Sequence, residues 1–127
     1  MALKRMFLFF GGSNGAIWLV ISAWLVHGAA NYSDKDVASL AIASAFAFIH
    51  SLLLLQVGFS LKEESSRVLN SSGILLIVGI FLFCFIILFK VVWPGSIIAA
   101  LSSLTPIGGL ALISAWLLIA IQGFYTK

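Results

Sequence analysis

The chain has 127 residues, of which 62% are hydrophobic and only 9% charged, whereas a soluble globular domain carries roughly a quarter charged residues. That composition excludes a water-soluble globule. The net charge of +3, with no dense basic run, excludes a partner held through a phosphate backbone, so nucleic acid is set aside.

One crossing of about 30 Å of hydrocarbon takes about 20 apolar residues, so four transmembrane helices nearly exhaust the chain. Lys4 and Arg5 precede the first apolar stretch, and Gly28, Ala29 and Ala30 resemble a cleavage site. The stretch reaches Val26, however, beyond the roughly 7 to 15 residues of a signal-peptide core. It therefore reads as an uncleaved first helix, about 6–28, in which Gly11 and Gly15 have the GxxxG spacing that lets another backbone approach. Asn31 to Asp36 is a short polar turn whose acids Asp34 and Asp36 cap and solvate the next helix, making the first two helices a tight hairpin.

The second helix, about 37–58, is rich in alanine and carries His50. Phe59 to Ser71 is the longest polar connection. It is a solvated loop with Lys62, Glu63, Glu64 and Arg67, and Asn70, Ser71 or Ser72 can cap the third helix. In that helix, about 72–93, Phe81, Phe83, Phe85 and Phe89 stand among Ile and Leu, predicting a helix greasy all round that shows much of its surface to lipid. Cys84, the single cysteine, lies here and serves packing or lipid contact; alone, it excludes an internal disulfide. Lys90 snorkels to the headgroups, and Pro94 and Gly95 end the helix. Residues 96–104 are too short to span. They read as an interfacial or re-entrant piece, in preference to the first turns of a fourth helix kinked at Pro106, because Thr105 and Pro106 form a good N-cap and N1 pair. The fourth helix is then about 106–123.

The expected fold is an all-α integral membrane four-helix bundle, a single domain of two antiparallel hairpins. Lys4, Arg5, Lys62, Arg67 and Lys127 fall on one side and Lys35 and Lys90 on the other, which puts both termini on the cytoplasmic side. The bacterial inner (plasma) membrane is the expected location. The pentapeptide at Ile21 to Leu25 recurs at Ile113 to Leu117, but on helices of opposite direction, so it is read as coincidence.

Polar groups inside a bilayer are costly and face the bundle interior. His50 shares a helical face with Ala43, Ala47 and Leu54, and Asn14 shares one with Gly11, Trp18 and Ser22. At about 1.5 Å of rise per residue, Asn14, His50 and Trp116 come out at similar depth. They form the candidate intramembrane polar site, with an Asn14 to His50 hydrogen bond closed over by Trp116. One reading makes His50 a neutral register lock and the other a ligand or proton site. His27 lies near the outer end of the first helix, roughly 18 Å from His50 in depth, too far for both to hold one haem. Two His50 side chains across a symmetric dimer would remain. No His, Cys, Asp or Glu cluster has metal-ligand spacing, and no serine has a base and an orienting acid in reach. Catalytic residues and a metal site are therefore not expected, and the sequence requires no cofactor.

Several segments together resemble the small membrane family called domain of unknown function 423, which includes transmembrane protein 256. The residues that carry the resemblance are Leu25, Val26, His27 and Gly28 at the end of the first helix, Ile49 to Leu53 around His50, and Thr105, Pro106, Ile107, Gly108 and Gly109 followed by Trp116. Leu25 and Val26 replace the family's small pair, and Phe83, Cys84 and Phe85 stand where it tends to have a small, polar FSG-like segment and a tyrosine. The resemblance implies the four-helix architecture and singles out His27, His50, Pro106, Gly108 and Gly109; it implies no reaction.

The leading functional expectation is a non-enzymatic structural or accessory subunit that packs with lipid, with itself as a homo-oligomer, or with a larger membrane complex. The alternative is a membrane-embedded binder of a quinone, haem or lipid around His50. A small transporter comes third, since Pro106, Gly108 and Gly109 suit a discontinuous helix but no inverted repeat accompanies them.

Overall fold

The second, third and fourth spans each start just after a serine that caps them. In the computed structural model, which describes residues 2–61 and 66–125, Ser33 adopts an extended conformation and its hydroxyl accepts the Asp36 backbone N–H at 3.2 Å. Asp34 and Asp36 then lie in the first turn, where negative charge faces the positive end of the helix dipole. Ser66 does the same for the third span, accepting the Leu69 N–H at 3.4 Å. The expected caps Asn70, Ser71 and Ser72 are instead already helical. Helices outlast the hydrocarbon they cross, and a hydropathy boundary misses a polar first turn such as Arg67 to Asn70. Lys62, Glu63, Glu64 and Lys127 lie outside the described residues.

The elements are α1 (Ala2–Gly28), α2 (Asp34–Ser60), α3 (Arg67–Ile80), a π-helical turn (Phe81–Phe85), α4 (Ile86–Val92), α5 (Ile97–Ala100), a 3-10 turn (Leu101–Leu104) and α6 (Thr105–Tyr125). They make four helices long and apolar enough to cross a membrane: Ala2–Gly28, Asp34–Ser60, Arg67–Val92 and Ile97–Tyr125.

Residues 96–104 differ from expectation. Ser96 caps α5, and the chain continues through the 3-10 turn into α6 with no non-helical residue between. Thr105 is not an N-cap, since its φ of −54° and ψ of −43° are helical and a cap residue is extended. Pro106 has no N–H to give the Ser102 carbonyl. That carbonyl takes the Thr105 N–H instead, which tightens the preceding turn to 3-10.

Between α1 and α2 the contacts step in opposite directions along the two helices. Lys4 Nζ donates to the Leu61 carbonyl at 3.2 Å, Asn14 Nδ2 to Ser51 Oγ at 2.7 Å, and Ser22 and Ser44 share a hydroxyl contact. Gly11 and Gly15 lie against Ser51 and Leu55, so the GxxxG spacing is used for this pair. In lipid such close packing and interhelical hydrogen bonds replace the hydrophobic drive available in water.

The third span buries one face and leaves Ile74, Val78 and Phe81 exposed on another. Phe85 meets Trp18 edge-on at 5.5 Å, Phe81 lies 5.3 Å from Phe10, and Phe83 lies 5.3 Å from Phe46. Leu76, Ile80 and Cys84 are fully buried, together with Phe7, Trp18 and Leu54. Phe83, Phe85 and Phe89 are thus half-buried and Phe81 is exposed, while Cys84 is a packing residue. Gly108 fits against the backbone of Leu82 and Phe83, where an added Cβ would stand 2.5 Å from the Phe83 nitrogen. Only glycine lets α6 approach the π turn this closely.

Candidate functional site

His50 is 5% exposed near the middle of α2, and its two ring nitrogens have different partners. Nδ1 lies 2.6 Å from the Phe46 carbonyl one turn earlier, and Nε2 lies 3.1 Å from the indole Nε1 of Trp116 on α6. A carbonyl only accepts and an indole N–H only donates. The ring is thus neutral, with its proton on Nδ1 and the Nε2 lone pair turned toward α6. The two rings meet edge to face at 6.3 Å.

Trp116 therefore joins His50, whereas Asn14 does not. Successive residues of an α-helix point about 100° apart. Ser51 faces α1 and accepts from Asn14 while donating to the Ala47 carbonyl at 2.7 Å, and its neighbour His50 consequently faces α6. The expected Asn14 to His50 bond is replaced by two separate polar contacts on opposite flanks of α2. Asn14 Oδ1 and Trp18 Nε1 are buried without a hydrogen-bond partner among the described residues.

Around the His50–Trp116 bond lies an open-sided cavity of about 520 Å³ lined by Phe46, Ile49, His50, Phe83, Gly109, Leu112, Ile113 and Trp116. α2 and α6 form its walls and Phe83 of the π turn reaches it from beneath. Trp116 and Ile113 are half exposed, so the mouth opens sideways, toward what would be lipid. Gly109, one of the motif residues, keeps this space clear, since an added Cβ would lie 3.7 Å from the Phe83 ring. Gly108, its neighbour, serves helix packing instead.

The remaining motif residues lie elsewhere. His27 is exposed in the last turn of α1. Asn14 and Gly15 are level with Ser51, and His27 lies twelve or more residues further on, about 18 Å of helix rise from the His50 level. Gly28 borders the Trp24 indole, while Thr105 and Pro106 shape the start of α6. Among the described residues no group of three or more His, Cys, Asp or Glu is placed to hold a metal ion.

Sequence reasoning did not find Phe46, Ile49, Phe83, Leu112 or Ile113. Two signals were available: Phe46 stands one turn before His50, and Gly109, Leu112, Ile113 and Trp116 share a helical stripe. Phe83 had none, because the π turn breaks the 3.6-residue register on which such reasoning relies.

No curated protein and no solved structure matches this chain. A family profile matches residues 21–109, a stretch that takes in His27, Gly28, Phe46, His50, Phe83, Thr105, Pro106, Gly108 and Gly109 but stops short of Trp116. With well over half its length matched, the chain belongs to the DUF423 family, described as a protein of unknown function.

Proposed function

We propose that this chain is a non-enzymatic protein of the inner membrane that takes a membrane-dissolved amphiphile into the groove between α2 and α6. The observation that supports this is the position of the His50–Trp116 bond. It crosses an otherwise apolar cavity, near mid-span, at an opening turned outward from the bundle. A largely apolar pocket with a few convergent polar groups suits a small molecule, and an ionisable residue at membrane depth is kept for a reason. The chain forms two antiparallel hairpins with both termini in the cytoplasm, a reading supported by the excess of Lys and Arg at that end.

The test is intact-complex mass spectrometry of the protein purified from its own membrane in mild detergent, beside the groove-filling variant Gly109→Leu. The expected result is a small extra mass on the wild type that the variant lacks. A bare wild type, or equal occupancy of both, would sink the reading.

The accessory-subunit reading has its own support in α6, which leaves Leu110, Ile113, Leu117 and Phe124 more than half exposed. A partner helix on that face would appear in the same spectra as a foreign subunit, and a second copy as a dimer.

A further inference from the structure

We propose that the groove selects an apolar molecule bearing a neutral, hydrogen-donating hydroxyl, which inserts between Trp116 and His50. The inference rests on the pocket reading above and adds the chemistry of the occupant. The Phe46 carbonyl holds the Nδ1 proton of His50 at 2.6 Å, so the nitrogen that faces the groove is an acceptor. Opposite it stands an indole N–H, which is a donor and nothing else. The two satisfy one another at 3.1 Å.

A guest that parts them must replace both halves of that bond. A hydroxyl does so with one atom, its O–H donating to His50 Nε2 and its oxygen accepting the Trp116 N–H. A ketone or an ether satisfies the indole only and leaves the imidazole lone pair buried without a donor, which is costly. The site therefore prefers a quinol to its quinone, and a free alcohol or phenol to its ether.

Geometry permits the insertion. Two hydrogen bonds through one oxygen require the nitrogens to stand roughly 5 Å apart, about 2 Å more than they do now. His50 is buried and tied to its own helix. Trp116 is half exposed at the mouth, so the movement falls on the indole. Phe46, Ile49 and Ile113 supply the apolar wall against which the body of the guest lies, and Gly109 the room for it. Among the described residues no ionised group lines the groove, so nothing there favours a charged headgroup.

The experiment uses the full chain in phosphatidylcholine nanodiscs with ¹⁵N-labelled indoles, the Trp116 resonance being the one lost in Trp116→Phe. Titrate with 4-heptylphenol and with its methyl ether, 4-heptylanisole, matched in shape and apolar bulk. The expected result is a saturable shift of the Trp116 indole signal by the phenol, with the ether weaker by about tenfold, the scale of one hydrogen bond. In His50→Leu the two probes should bind alike. Titration with 1-decanol separates sources, since a shift equal to the phenol's assigns a flexible fatty alcohol and a much weaker one assigns a flat phenolic ring. Equal binding of phenol and ether to the wild type leaves the pocket reading standing and overturns the hydroxyl preference. No shift with any probe overturns both. A Trp116 shift without probe, growing with protein-to-lipid ratio, gives the groove to a second copy and also overturns the proposal.

Discussion

Trp116 caps the His50 lone pair with its only polar atom, and this makes a sharp test at the level of single side chains. Trp116→Phe keeps most of the ring's bulk at a half-exposed position and removes the donor. It is expected to cost about 1 kcal/mol, near the measured range for hydrogen bonds between membrane helices. Adding His50→Leu should recover part of that loss, because the orphaned acceptor disappears; reversible unfolding in detergent would measure both. On the other flank of α2, Asn14→Ala and Ser51→Ala should show a coupling of about 0.6 to 1.7 kcal/mol in a double-mutant cycle. Asn14→Ala and His50→Ala should instead add to within about 0.5 kcal/mol. A coupling between Asn14 and His50 as large as that with Ser51 would contradict the geometry. Depth along each helix was legible from residue counting, so His50 and Trp116 were expected at one level. Which way each helix turns about its axis was not, and a rotation of one residue sends Asn14 to Ser51.

Among the elements, the junction between the third span and α6 is the most sensitive to added volume. In Gly108→Ala the new Cβ would meet backbone atoms of Leu82 and Phe83 at 2.5 to 2.7 Å, atoms that cannot rotate away. A loss of about 1 to 3 kcal/mol is expected. Gly109→Ala, one residue on, meets only the Phe83 ring at 3.7 Å and should change stability by less than about 0.5 kcal/mol. Comparable unfolding midpoints for the two would show that α6 does not press on the π turn. The four spans themselves could be read from hydropathy, because a run of about 20 apolar residues has the length of a bilayer-crossing helix. Their limits could not. Capping at Ser66 and the 3-10 turn ahead of Pro106 depend on hydrogen bonds outside the apolar window. In the third span composition alone could not separate Phe85, which meets Trp18, from Phe81, which is left exposed.

At the scale of the whole molecule, Lys4 and Leu61 meet at one end, where Ser66 Oγ also donates to Gln122 Oε1 at 2.7 Å. The opposite end carries the turn at Asn31. If the basic end is cytoplasmic, then in a Cys84→Ala background Asn31→Cys should react with a membrane-impermeant maleimide in intact cells. Ser60→Cys should react only after permeabilisation. The reverse pattern would invert the topology and leave the fold unchanged. Family membership was legible from the motifs around His27, His50 and Thr105 to Gly109, yet these do not lead to one place. The fold gives Gly109 to the groove, Gly108 to helix packing and His27 to the far end of α1.

The π-helical turn at Phe81–Phe85 gives the chain an unusual genetic property. A turn of this kind holds one residue more than an α-helix would need over the same rise, so losing a single codon there would leave an unbroken helix. Because the extra residue is absorbed within the turn, the helix on either side would keep its facing, and the side chains of the turn itself, Phe83 among them, would be re-aimed. The place of Phe83 beside the groove can thus be gained or lost in one mutational step without disturbing the four spans, which makes the bundle and that side of the groove separable inheritances.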